Sequence, residues 1–187
     1  MSGDSDGSGV RAENVVAFWR EAGPEKWFKK DAAFDADINV RFLPAHEAAA
    51  AGKFATWEAT PEGTFALLLL LDQFPRNMFR GSARAFTTDP LARAVADRAV
   101  TRGFDQKFGP AERLFFYLPF THSESLADQE RCLALSRATG DADTAKWAEV
   151  HADIIRRFGR FPHRNALLGR ATTAEEQAFL DRGGFSG

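Results

Sequence analysis

Several features that would define other fold classes are missing from this chain. Only one of its 187 residues is cysteine, Cys132, so no intrachain disulfide and no cysteine-built zinc site can form. Cys132 lies in a helical pattern with Leu133 and Leu135 and reads as a small buried hydrophobe, not a nucleophile. There is no surplus of positive charge. The formal net charge is −2 and the pI about 6.1, which argues against nonspecific binding to nucleic acid or to an anionic membrane. The longest apolar run, Phe65 to Leu71, is too short to span a bilayer. No alternating strand pattern or hairpin turn occurs. No glycine-rich phosphate loop, dinucleotide fingerprint or nucleophile motif occurs either, so no cofactor is expected. The N-terminal Met-Ser-Gly-Asp-Ser-Asp-Gly-Ser-Gly is polar and acidic, unlike a signal peptide. Residues 1–11 are expected to be a disordered tail and the protein to be cytoplasmic.

What the chain does have is phenylalanine, 18 copies against one tyrosine, together with closely spaced helix signals. Asn14 is a candidate cap for a helix carrying Val15, Val16, Phe18 and Trp19. Pro24 opens a short piece with Trp27 and Phe28. Phe34, Ile38 and Phe42 share one helical face, and Pro44 is expected to open a separate alanine-rich helix closed by Gly52. Thr60-Pro61-Glu62 is a helix start, and the leucine run after it reads as a helix buried on most sides. Further starts fall at Asp89-Pro90, Pro110, Ser125 and Asp141. Gly159 is a stop, and Thr172 to Glu175 has capping-box spacing for a last helix. Residues 12–187 are therefore expected to form one all-α domain of irregular, stacked helical hairpins. The tryptophans, Trp19, Trp27, Trp57 and Trp147, are expected to be packing anchors.

Three prolines, Pro75, Pro119 and Pro162, each follow a helix and are spaced 44 and 43 residues apart. Each sits beside a polar cluster: Asp72-Gln73-Arg76-Asn77-Arg80, then His122-Ser123-Glu124, then Arg160-His163-Arg164-Asn165-Arg170. If these are three helix breaks in a hairpin array, the clusters fall along one edge and line a common groove. Asp72 and Glu124 then call for cationic partners, with Arg76, Arg160 and Arg164 as candidates for Asp72. Five arginines against two acids leave positive charge over, which an anionic small molecule or an acidic peptide would balance.

Alternatives share the same residues. His122 or His163 with Glu124 could serve acid–base chemistry on an anionic substrate. A metal bound by His122, Glu124 and His163 is disfavoured by the arginines around them. Asp72, Asn77 and Asn165 could equally pin hairpins together by satisfying helix-end backbone. Exposed helical faces could bind a protein partner. Ser123 reads as a turn or cap residue, and His151, on the apolar stripe of its helix, as a core histidine.

Taken together, the segments Leu70-Leu71-Asp72-Gln73-Phe74-Pro75-Arg76-Asn77, Tyr117-Leu118-Pro119 with His122-Ser123-Glu124 and Gln129, and Arg157 to Asn165 with Leu168-Gly169-Arg170 strongly resemble the bacterial family catalogued as domain of unknown function 924. Phe18-Trp19, Trp27-Phe28 and Trp57 extend the resemblance over nearly the whole chain. It implies an all-α, tetratricopeptide-like superhelix and carries no particular activity with it.

Overall fold

A computed structural model describes residues 9–185, so the expected tail lies mostly outside the described residues; residues 9–11 have no regular structure. Among the described residues the regular structure is all helical. No described helix is long and apolar enough to cross a membrane. The chain forms two compact units. One runs through Arg80 and takes up Arg84–Pro119; the other joins Gly81–Ala83 to the chain from Phe120 onward.

The first unit holds α1 (Ala12–Ala22), α2 (Pro24–Trp27), α3 (Ala32–Ala50), α4 (Pro61–Leu68), α5 (Phe74–Met78), α6 (Asp89–Thr101) and most of α7 (Pro110–Thr121). α1 begins before Asn14, with Arg11 at the N-cap and no side-chain cap. Asp31 caps α3 through the Ala33 and Phe34 N–H groups, so the face of Phe34, Ile38 and Phe42 forms as expected. Pro44 does not open a new helix; it sits inside α3. Pro44 and Val40, whose carbonyl it leaves without a helical donor, are both exposed, while Phe42, Ala45, Ala48 and Ala49 continue the buried stripe across it. Burial on both sides of the proline outweighs the missing bond.

α4 is the central helix, packed by α1 and α6. Thr60 caps it by accepting from the Gly63 N–H, and every residue from Gly63 to Pro75 is buried, as an apolar helix start with no polar face requires. Position 63 has a steric reason to be glycine. A Cβ there would lie 2.3 Å from the Trp57 carbonyl oxygen, so the Ala55–Ala59 turn can sit on α4 only if that position is bare. Stacked Trp19 and Trp27, 5.8 Å apart, meet Phe115 edge-on, and Phe65, Phe108 and Phe116 extend the aromatic core.

The second unit is built on the hairpin α8 (Leu126–Ala138) and α9 (Ala142–Phe158), followed by a 3₁₀ turn Pro162–Arg164 and α10 (Ala174–Asp181). Asp141 caps α9 and Gly159 ends it in the left-handed conformation. The capping box of α10 forms one residue later than expected, between Thr173 and Glu176. Trp147 is 58% exposed and is not a buried anchor, unlike Trp19 and Trp27.

The three prolines are not three equivalent breaks. Pro162 opens a new turn, but Pro119 lies inside α7, and Pro75 lies in the first turn of α5 within a continuous helical path. That path stays helical by widening into a π turn, Leu69–Gln73, in which the Phe74 N–H reaches back five residues to the Leu69 carbonyl.

Candidate functional site

The leucine-helix cluster is organised by the missing N–H of Pro75. The carbonyls four and five residues before it, Leu71 and Leu70, have no helical donor at that position. Side chains replace it: Thr88 Oγ1 donates to the Leu71 oxygen at 2.6 Å, and His46 Nδ1 lies 2.8 Å from the Leu70 oxygen. Arg76 Nη1 donates to the Asp72 carbonyl at 2.7 Å. Its guanidinium also grips Asp89 with two bonds of 2.9 and 3.0 Å and lies 3.3 Å from the Asp72 carboxylate. Burial lowers the Arg76 pKa, but Asp72 and Asp89 outweigh that and raise it overall, so this cation is fixed. Asp89 is also in the first turn of α6, where the helix dipole favours an acid.

Gln73 donates to Asn77 Oδ1 at 3.1 Å, Asn77 Nδ2 donates to Asp35 at 2.7 Å, and Arg80 holds Asp35 with bonds of 2.8 and 3.1 Å. Beside them, Asp35, Ala36, Asn39, Val40, Asn77 and Met78 line a shallow open cleft of about 300 Å³. Asp72, Gln73, Arg76, Asn77 and Arg80 thus clamp α5 to α3 and to the start of α6.

The second and third clusters meet in the second unit. Glu124 accepts the Phe161 N–H at 2.8 Å and two bonds from Arg170, 2.7 and 2.9 Å. Partial burial pushes the Glu124 carboxyl up, but the Arg170 and Phe161 donors outweigh it and its pKa falls below the usual value. Arg170 also donates to Asn165 Oδ1 at 3.0 Å and to the Phe161 carbonyl at 3.2 Å. Asn165 passes the network to Glu176 at 3.2 Å, and Arg160 closes it with bonds of 2.6 and 2.9 Å to the same carboxylate. Those Arg160 bonds, with the Thr173 N–H, hold Glu176 down to about 2. Carboxylates therefore answer the arginines of these networks. Arg76 pairs with Asp72 and Asp89, Arg80 with Asp35, Arg160 with Glu176 and Arg170 with Glu124. Of the candidates for Asp72, Arg76 lies beside it, 3.3 Å from its carboxylate.

Arg164, His151 and His163 gather on the Phe161 ring. Arg164 is 7% exposed, with its guanidinium 4.6 Å from the centre of the Phe161 ring. His163 packs on Phe161 at 5.6 Å, and its Nδ1 is buried with no hydrogen-bond partner. His151 lies 5.8 Å from Phe161, with Nδ1 2.8 Å from its own helix carbonyl at Trp147. Burial, with the charge of Arg164 beside it, pushes His163 down to about 4. Burial does the same to His151, and the nearby His122 and Arg164 add to it. Both imidazoles are neutral at pH 7. Among the described residues no group of three or more His, Cys, Asp or Glu is arranged to hold a metal ion.

Ser123 is the turn residue expected, bonding Asp128 and the Ser125 N–H. Gln129 Nε2 donates to the carbonyls of Phe120, Thr121 and Ser123 and so finishes the end of α7. The residues that sequence reasoning missed are Asp35, Asp89, Glu176, His46 and Thr88. Only Glu176 left a local signal, in the ambiguous run Thr172-Thr173-Ala174-Glu175-Glu176, which fits a capping box in two registers.

Comparison with known proteins agrees with this architecture. A protein of unknown function from Agrobacterium tumefaciens has a solved structure that superposes with a TM-score of 0.89 at 51% sequence identity, covering 92% of this chain and 97% of that one. No match was found among curated proteins. The family model described as "Bacterial protein of unknown function (DUF924)" matches residues 15–184, and the chain belongs to that family.

Proposed function

We propose that this protein is a cytoplasmic, tetratricopeptide-like binding protein whose second unit takes up a small anionic molecule or an acidic peptide around Arg164, His163, His151 and His122. The observation that carries this reading is the buried, unpartnered Nδ1 of His163 next to the buried Arg164 guanidinium. A buried polar atom without a partner costs about 1–3 kcal/mol, a cost that a ligand hydrogen bond removes. An anion placed there also meets a desolvated cation, where the charge interaction is strong. The neutral His163 imidazole can donate to it through Nδ1 without adding net charge, whereas His151 already gives its single N–H to the Trp147 carbonyl.

Acid–base catalysis through Glu124 is less well supported. Both of its oxygens are held by Arg170 and the Phe161 N–H, which keep it ionised. The networks of Asp72, Gln73, Arg76, Asn77, Arg80, Arg160, Asn165 and Arg170 serve this reading as the frame that fixes the helices.

The test is thermal denaturation of the purified chain at pH 7 in a panel of phosphate, acetate, succinate and a glutamate-rich peptide, repeated on His163→Gln. A ligand at 100 times its dissociation constant adds about 2.7 kcal/mol, which for a chain of this size raises Tm by roughly 5–10 °C. His163→Gln is expected to keep its unliganded Tm within a few degrees and to lose most of that rise. A flat response to every anion would sink the reading and leave the exposed Trp147 face, with a protein partner, as the better starting point.

A further inference from the structure

The histidine–arginine site already holds an aromatic ring, and it belongs to the chain itself. Phe185 lies 4.5 Å from the His151 ring at 63° and 5.3 Å from the His163 ring at 76°, edge-on to both. It also packs on the small core formed by Ile154, Ile155 and Phe161. Two glycines bring it there. Gly183 has φ +77°, a left-handed conformation, and its N–H bonds the Leu180 carbonyl. Gly184 donates to the Phe179 carbonyl, and a Cβ on it would lie 2.5 Å from the Phe179 ring. The chain thus makes a tight reversal after α10 that only this glycine pair permits, and the reversal sets Phe185 against two imidazoles.

Edge-on packing with rings 4.5–7 Å apart is the favoured geometry of aromatic pairs. The seat formed by His151, His163 and Phe161 is therefore shaped for an aromatic ring, with the Arg164 guanidinium lying on the same Phe161. We infer that the ligand of this site is an aromatic carboxylic acid, or a peptide that places an aromatic ring beside a carboxylate, and that Phe185 is the internal stand-in for that ring. The inference rests on the anion reading above and adds the class of ligand and its competitor. A ligand must displace Phe185, so the apparent affinity is reduced by the fraction of molecules in which the seat is open.

The experiment is isothermal titration calorimetry of the full chain with sodium 3-phenylpropionate and, separately, sodium acetate at pH 7, on wild type, Phe185→Ala and Gly184→Ala. The second variant keeps the Phe185 side chain but cannot close the turn against Phe179. Both variants are expected to bind 3-phenylpropionate at least about tenfold more tightly than wild type, with acetate unchanged, and adding His163→Ala to Phe185→Ala is expected to abolish the gain. If either variant keeps its helical circular dichroism and shows no gain, Phe185 is a core strut and the inference falls. It falls equally if both variants unfold. If acetate or phosphate binds wild type while no variant gains affinity for the aromatic acid, the anion site stands without this ligand class. If no anion binds wild type or variants, both readings fall together.

Discussion

Replacing Arg170 by alanine separates a clamp from a ligand-binding cation. The side chain makes four hydrogen bonds: to Glu124 Oε2 at 2.7 Å, Glu124 Oε1 at 2.9 Å, Asn165 Oδ1 at 3.0 Å and the Phe161 carbonyl at 3.2 Å. Its loss leaves a half-buried carboxylate with the Phe161 N–H and the nearby charge of Arg164. Breaking one side of a fully buried ion pair costs about 3–5 kcal/mol. The Arg170 and Glu124 side chains keep 23% and 28% of their exposure, so water replaces part of what is lost, and the expected cost is about 2–3 kcal/mol. That corresponds to a fall in Tm of roughly 4–12 °C for a chain of this length. Urea unfolding followed by circular dichroism reads the loss directly. A cycle with Glu124→Gln should return a coupling energy of about 1–2 kcal/mol. An Arg170→Ala protein within about 0.5 kcal/mol of wild type, yet blind to an anion that stabilises wild type, would refute the clamp assignment.

Other expectations follow from the same geometry. His151 and His163 have folded pKa values near 4 against 6.5 unfolded, so the unfolded chain binds protons first. Stability is fully present above pH 6.5 and falls as pH drops towards 4, by up to about 3 kcal/mol per imidazole, and His163→Gln should flatten that slope in urea titrations across this range. Glu176, held down to about 2 from 4.5, contributes stability above pH 4.5 that is lost as pH falls towards 2, and Glu176→Gln should make unfolding in that window less steep than in wild type. Gly63→Ala should destabilise by about 2–3 kcal/mol in a thermal melt, against the gain of about 1 kcal/mol that helix propensity predicts, because its Cβ meets the Trp57 oxygen at 2.3 Å; a neutral or stabilising result would contradict that contact.

Helix identity was legible because its signals are local. Thr60-Pro61, Ser125, Asp141 and Gly159 lie at helix ends as expected, and the leucine run is buried on every side. Prolines misled wherever tertiary burial could carry a helix through them. Pro44 costs one bond on an exposed edge, and Pro75 is tolerated because His46 and Thr88, 24 and 17 residues from the carbonyls they serve, arrive from elsewhere in the fold. Counting charges within each cluster failed for the same reason. The acids that neutralise Arg76 and Arg80 lie 13 and 45 residues away, and no periodicity in the sequence marks Asp35 or Asp89 as their partners.

The pairing of those charges changes what the polar residues imply. A cation with a bidentate carboxylate gains little from a ligand anion, because the ligand must compete with a partner already in place. That condition describes Arg80, Arg160 and Arg170, and Arg76 more strongly still. It does not describe His163, where the cost of burial is visible as a ring nitrogen without a partner and a pKa far below that of a free imidazole. Buried polar atoms are hydrogen-bonded in the large majority of cases, and this exception is the observation on which the proposed anion site rests. The surrounding clamps make the exception persist: Glu124 and Arg170 fix the Phe161 backbone from both its N–H and its carbonyl, and Phe161 is the ring on which Arg164, His151 and His163 all rest.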